Sequence, residues 1–333
     1  MKAIVCEQWG DPEQVLHVRN DVPVPEPGPG EVRVRMLASP INPSDLATVR
    51  GQYGKQPPLP MTPGFEGVGV VEAGSGLLAW RVKGRRVAVL NGSSQRGNWQ
   101  QYVVIPARQA VPVSSALTDE QAASFFVNPA TAFVMTRYLL RVPRGAWLLQ
   151  TAAGSALGRM VIRLGNYYGF RTLNVVRRRE QVDELLRLGA TAVVATNEEP
   201  LIEGVKRVAG GEPVRHAIDP VGGSTAVEAI RALGRGGRML LYGTLSDEPM
   251  ALGSRDLMGG QKIVEGFWLS EWVRDQGVLT MLRLFRRLNK LIAAGVLATE
   301  PGASFPLEGI GDAVREAIKP GRKGKVLLRI ADK

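Results

Sequence analysis

WLLQTAAGSALG, residues 147–158, reads as a short apolar strand, a tight glycine-containing turn and the head of a helix. Leu157, Val161, Leu164 and Tyr168 then recur on one helical face. A turn of this kind lets backbone N–H groups approach a pyrophosphate, with the positive end of the helix behind them. Gly154, Ser155, Ala156 and Leu157 are therefore the candidate pyrophosphate contacts, although Ala152 and Ala156 stand where glycine is common. The next strand, Thr172 to Val176, runs into Arg177, Arg178 and Arg179. That is about twenty residues beyond the turn, where an adenosine ribose lies in dinucleotide-binding folds. An acidic residue there favours a free 2′-hydroxyl, whereas three arginines suit a 2′-phosphate through charge-assisted hydrogen bonds. The residues point to NADPH.

The pattern extends in both directions. Trp147 to Gln150, Thr172 to Val176, Ala192 to Val194, Ala217 to Asp219, Met239 to Tyr242 and Ile263 to Phe267 read as six strands. Helical segments separate most of them, which implies a doubly wound parallel sheet. A single long helix is expected from about Trp272 to Ala294, and a final strand from Lys325 to Ile330. Before about Val113, short β-like runs (Val32 to Met36, Gly67 to Glu72, Arg86 to Leu90) alternate with Pro/Gly turns, so this part reads as all-β and barrel-like.

Composition narrows the classes. A chain of 333 residues suggests two domains. No apolar stretch is long enough to cross a bilayer. The opening MKAIVCEQWG enters a strand pattern without a signal-peptide core or an Arg/Ser-rich transit segment, which makes a cytoplasmic location the expectation. One cysteine, Cys6, and two histidines, His17 and His216, exclude the usual Cys/His catalytic zinc and a four-cysteine structural zinc. The net charge of +11 raises an acidic partner. Arg283, Arg286, Arg287 and Lys290 share one helical face opposite Met281, Leu284, Leu288 and Leu291, which reads most simply as a solvated face. The alternative is attraction of a polyanionic substrate carrier. The arginines do not interleave with aromatic residues as a single-strand groove requires, which argues against nucleic acid.

Four further segments carry a resemblance. INPSDLATVRGQYG from Ile41, LPMTPGFEGVGVV from Leu59, AASFFVNPATAF from Ala122 and GFWLSEW from Gly266 resemble the zinc-independent branch of the medium-chain dehydrogenase/reductase superfamily. Within it, the likeness is to the mitochondrial-type NADPH-dependent 2-enoyl thioester reductases, with the quinone oxidoreductases next. Zinc enzymes of the superfamily place a histidine before the glutamate of the PGFEGVG segment; here Phe65 precedes Glu66. Gly154 stands where the mitochondrial enzymes carry asparagine.

The resemblance implies an α/β architecture: a GroES-like β-barrel catalytic domain from residues 1–120 and 270–333, and a Rossmann domain from 121–269, with the active site in the cleft between. It also implies a homodimer joined edge to edge near Ile263 to Phe267. The activity implied is reduction of the C2–C3 double bond of an acyl-CoA or acyl-carrier-protein thioester. Tyr53 matches the family's proton-donating tyrosine; without the resemblance it is a loop aromatic. Asn42 and Asp45 read as turn chemistry. Asn128 matches a residue near the nicotinamide ribose, or is an N-cap or turn asparagine. Phe267, Trp268 and Leu269 match a segment whose backbone meets the nicotinamide carboxamide. Tyr242, Gly243, Thr244 and Leu245 follow the fifth strand at the ligand-binding edge. Lys325 matches a basic cofactor-contacting position, although a lysine in such a GRKGK turn is otherwise solvated. Two other readings stay open: an NADPH:quinone or enone reductase, and a cofactor-fold protein that holds nucleic acid on its basic surface.

Overall fold

The computed structural model describes residues 1–54, 56–91, 95–246 and 248–331. Two compact units emerge, one formed by Met1–Val127 and the chain from Leu282 onward, the other by Asn128–Met281. The first is all-β at its centre. A hairpin of β1 (Ala3–Cys6) and β2 (Leu16–Arg19) precedes a seven-stranded sheet. That sheet uses β3 (Glu31–Pro40), β4 (Glu66–Gly74), β5 (Arg86–Leu90), β6 (Tyr102–Pro106), β7 (Val111–Pro112), β14 (Pro301–Pro306) and β15 (Lys325–Arg329).

Alternation explains β3: Val32, Val34, Met36 and Ala38 turn inward, while the residues between them are partly exposed. Val32, Val34 and Met36 join Ile4, Trp99, Ile105, Val326 and Leu328 in one core. The glycines of the GFEGVGV segment have a packing reason. A Cβ on Gly69 would sit 2.4 Å from the Arg35 carbonyl oxygen, so only glycine lets β4 lie this close to β3. The antiparallel pairing of β15 with β3 places Leu328 opposite Ser39 and brings the end of the chain back to its first third.

The second unit is a six-stranded sheet in the order β10–β9–β8–β11–β12–β13. The strands are β8 (Trp147–Gln150), β9 (Arg171–Val176), β10 (Ala192–Ala195), β11 (His216–Asp219), β12 (Arg238–Leu241) and β13 (Ile263–Gly266). Every pairing is parallel, so all six carboxyl ends meet one edge, and the order reverses between β8 and β11. Helices cover both faces. Val205 and Ile230 pack with Leu149, Leu173 and Val175 on one side. Ile162 and Leu185 pack with Val176 and Ala153 in a separate cluster. This is the arrangement of a Rossmann-type sheet.

The single helix expected from Trp272 to Ala294 is two helices, Leu269–Arg274 and Val278–Ala293. Asp275 caps the first, and Gly277 stands in the break. Glycine costs about 1 kcal/mol in a helix interior, and an acidic residue at a helix C-terminus opposes the dipole, so the interruption has a local cause. In the second helix Leu284, Leu288, Leu291 and Ile292 are buried, while Arg283, Arg286, Arg287 and Lys290 are exposed, as a solvated face requires.

Candidate functional site

In the Asn128–Met281 unit, Ser155 ends the turn after β8 by accepting the Gly158 N–H on its hydroxyl at 3.1 Å, and the Ala156–Tyr168 helix starts there. The turn is tight. Ala152 occupies the left-handed region at φ +47°, where glycine would be unstrained. A Cβ on Gly158 would meet the Ala153 carbonyl oxygen at 2.4 Å, which fixes the close approach of helix to turn. A Cβ on Gly154 would lie 2.4 Å from the Gln181 amide nitrogen. Both positions are packed too closely for a Cβ unless a neighbour shifts, against fixed backbone at Gly158 and against the movable end of the Gln181 side chain at Gly154.

Polar residues that the sequence reading passed over hold this cradle. Gln150, last residue of an otherwise apolar buried strand, donates to the Gly158 carbonyl at 3.0 Å and to Asn174 Oδ1 at 2.6 Å. Thr151 donates to Asp219 Oδ1, joining the ends of β8 and β11 at the point where strand order reverses. The other Asp219 oxygen accepts the Gly222 N–H at 2.7 Å. Burial raises this carboxyl above its usual range. A polar side chain closing a buried strand was the available signal for both.

The three arginines after β9 are all exposed but not equivalent. Arg179 pairs with Asp183 at 3.3 Å and Glu198 at 3.6 Å. Among the described residues neither Arg177 nor Arg178 has an ion-pair partner, which leaves two guanidinium groups for an anion at the end of β9. Along the same sheet edge, the Tyr242 N–H donates to the Asp219 carbonyl at 2.9 Å and the Leu245 N–H to the Pro220 carbonyl at 3.0 Å. Burial, and then the charge of Asp219, push the Tyr242 phenol upward. A Cβ on Gly243 would meet the Pro220 carbonyl oxygen at 2.8 Å, and Thr244 is exposed. Phe267 is buried and donates its N–H to the Leu241 carbonyl at 2.7 Å, while Trp268 is exposed and caps the helix that Leu269 begins. Asn128 is not an N-cap: it is the second residue of the Val127–Phe133 helix and half-buried.

In the other unit, Tyr53 is half-buried in the loop after the Pro43–Val49 helix, its ring 5.3 Å from that of Phe65 and nearly edge-on. Burial, and then the charge of Asp45, raise its phenol above the ordinary value. Behind it lies a cluster withdrawn from water. Asp45 accepts the Phe65 N–H at 2.8 Å on one oxygen and the Asn42 N–H at 2.7 Å on the other. Glu66 accepts the Phe126 and Val127 N–H groups, each at 2.9 Å, and the Asn42 amide at 3.2 Å. Lys325 donates its ammonium to Asn42 Oδ1. Lys325 is thus not the solvated lysine that a GRKGK turn otherwise carries: it is 2 % exposed, because β15 runs beside β3 and carries it inward. Burial and the neighbouring Arg322 lower its ammonium to about 8, against the opposing pull of Glu66 and Asp45. Burial raises Glu66.

These residues do not fit a catalytic zinc. The Cys6 thiol is buried and donates to the Gln8 carbonyl at 3.1 Å. His17 lies on β2 of the first unit and His216 on β11 of the second. The buried carboxylates are already filled by N–H donors. Among the described residues no group of three or more His, Cys, Asp and Glu is placed to hold a metal ion.

Residues 28–115 match the family described as the alcohol dehydrogenase GroES-like domain, and residues 156–286 match the zinc-binding dehydrogenase family. The mitochondrial enoyl-acyl-carrier-protein reductase of Homo sapiens is 33 % identical over 336 aligned positions, covering 98 % of this chain and 88 % of the relative. The Xenopus tropicalis protein of the same name is 34 % identical, covering 98 % and 95 %. Among solved structures, the quinone oxidoreductase of Escherichia coli complexed with NADPH superposes with a TM-score of 0.89 at 26 % identity, covering 99 % of this chain and all of that one.

One consequence of the buried cluster is measurable as stability. Burial raises the Asp45 carboxyl to about 7, whereas an unfolded aspartate titrates near ~3.9. Between those values the folded chain holds the proton more tightly, so Asp45's contribution is complete below the unfolded value and is lost as pH rises through about 7. The wild type should lose stability relative to Asp45→Asn between about pH 5 and about pH 8, read by urea unfolding. A difference that stays flat over that interval would mean that Asp45 titrates as an ordinary carboxylate.

Proposed function

Because the chain belongs to the family of mitochondrial-type enoyl-acyl-carrier-protein reductases, oxidoreductases of the medium-chain dehydrogenase/reductase superfamily, we propose that it reduces the C2–C3 double bond of a 2-enoyl thioester with NADPH. When bound, the cofactor supplies the hydride that reaches C3. In this proposal Arg177 and Arg178 hold the 2′-phosphate, and the backbone of Gly154, Ser155, Ala156 and Leu157 takes the pyrophosphate. Arg179, drawn toward Asp183 and Glu198, contributes charge from the side. Tyr242–Leu245, Phe267–Leu269 and Asn128 carry the nicotinamide half.

The observation that favours a thioester is the Tyr53 phenol. Its raised pKa keeps it protonated throughout the neutral range. It remains far more acidic than the C2–H bond it creates, so it can deliver a proton to the enolate carbon left after hydride addition. The thioester carbonyl accepts the developing charge, and no metal is needed. A quinone needs no such carbon acid, because its reduced form is a stable oxyanion. The likeness to the Escherichia coli quinone oxidoreductase keeps that acceptor as the second reading.

We further propose a homodimer through β13. Among the described residues this strand pairs only with β12, and Ile263 on it is 50 % exposed, so one row of backbone donors and acceptors stands at the sheet edge.

Four outcomes follow. A hydrogen bond to a charged group contributes about 1.5–3 kcal/mol, or roughly tenfold or more in affinity. The double substitution Arg177→Ala/Arg178→Ala should therefore erase most NADPH preference while leaving NADH binding nearly unchanged; equal use of both cofactors by the wild type would remove the assignment. Tyr53→Phe should lower kcat on crotonyl-CoA by about 10²–10⁴-fold with NADPH affinity little altered, and wild-type turnover should survive exhaustive chelation. Unchanged turnover of Tyr53→Phe takes the tyrosine out of the mechanism, and loss of wild-type activity on chelation takes out its metal-free form. Light scattering should give a dimer mass for the wild type and a smaller mass for Ile263→Lys, whereas a wild-type monomer contradicts the edge-to-edge contact.

A further inference from the structure

We propose that Asp45 is a positioning residue for Tyr53, acting through Phe65. The inference rests on the reading of Tyr53 as the proton donor. It concerns what aims the phenol, which that reading leaves open.

The geometry is a short chain of fixed contacts. Asp45 holds the Phe65 N–H at 2.8 Å with one carboxylate oxygen. Its other oxygen holds the Asn42 N–H at 2.7 Å, at the head of the helix that precedes the Tyr53 loop. The Phe65 ring in turn meets the Tyr53 ring at 5.3 Å and 63°. Aromatic pairs at this separation favour an edge-to-face arrangement, so moving Phe65 moves the preferred seat of the phenol.

Phe65 is held from its other side as well. Glu66, the next residue, is gripped by Asn42 and by the Phe126 and Val127 N–H groups. Lys325 fixes the same Asn42 side chain through its oxygen. Asn42 thus uses its backbone N–H, its amide nitrogen and its amide oxygen on three different charged partners. The Phe65 carbonyl accepts the Asn91 N–H at 3.0 Å, and Asp45 holds the Phe65 N–H. Asp45 is 1 % exposed and has no route to substrate of its own. Its two oxygens both accept N–H donors, which is the work of a brace.

The experiment is a double-mutant cycle of Asp45→Asn and Tyr53→Phe on crotonyl-CoA and NADPH. A misplacement of about 1 Å can cost on the order of 100-fold in rate. Asp45→Asn should accordingly lower kcat by about tenfold or more in the wild-type background, with KM for the thioester within about twofold. In the Tyr53→Phe background the same change should have no further effect, because the group being aimed is gone. Phe65→Leu keeps the N–H donated to Asp45 and removes only the ring, so it should reproduce the pattern even if Asp45→Asn fails to fold. Equal losses in both backgrounds, or an unchanged kcat for Phe65→Leu, would overturn the proposal. If Tyr53→Phe alone turns over normally, the proton-donor reading fails first and takes this inference with it.

Discussion

Two carboxylates removed from water constrain the first unit more than any apolar contact does. Asp45 and Glu66 are each 1 % exposed, and an uncompensated charge at such depth costs several kcal/mol. Their compensation comes from distant parts of the chain. Backbone N–H groups at Asn42, Phe65, Phe126 and Val127 satisfy them, and Lys325 brings the opposite charge by way of Asn42. Ser39 also donates to the Glu66 carbonyl at 2.6 Å, tying β3 to the same point. Removing one partner from a buried charged set typically costs about 3–5 kcal/mol. The path of β15 beside β3 is therefore an electrostatic requirement as well as a packing solution: without it the cluster has no cation.

The second unit solves a different problem, a close approach of backbone to a polyanion. It holds Ala152 in a left-handed conformation and forbids a side chain at Gly158. It then locks the result with Gln150 and Thr151 from the end of β8. Because all six strands run the same way, the turn, Arg177 and Arg178, and the segments after β12 and β13 fall on one edge by topology. The edge is specific only through its side chains, and in the proposed function Arg177 and Arg178 separate a phosphorylated ribose from a plain one.

The sequence disclosed these two solutions unequally. Strand, turn, helix and following arginines are local in the chain, so periodicity and spacing located each strand of the parallel sheet to within about a residue. The break at Gly277 was missed because the apolar period resumes in phase beyond it. Arg179 could not be told from its neighbours, since its partners Asp183 and Glu198 are settled by how the chain turns after β9. The buried cluster was illegible for a stronger reason. Lys325 meets a residue 283 positions away, and nothing in a GRKGK turn signals that its last lysine points inward. Asn42 and Asp45 are not a free turn, as their types suggest, but the N-cap and third residue of the Pro43–Val49 helix, where Asp45 accepts the Asn42 N–H.

The central claim is that the acceptor is a conjugated thioester. Steady-state NADPH oxidation with crotonyl-CoA, with a quinone and with no acceptor tests it in a single assay. The account predicts saturable turnover on crotonyl-CoA with kcat/KM well above that on the quinone, and a negligible rate without acceptor. Turnover of the quinone at an equal or higher kcat/KM, with crotonyl-CoA left unreduced, would contradict it.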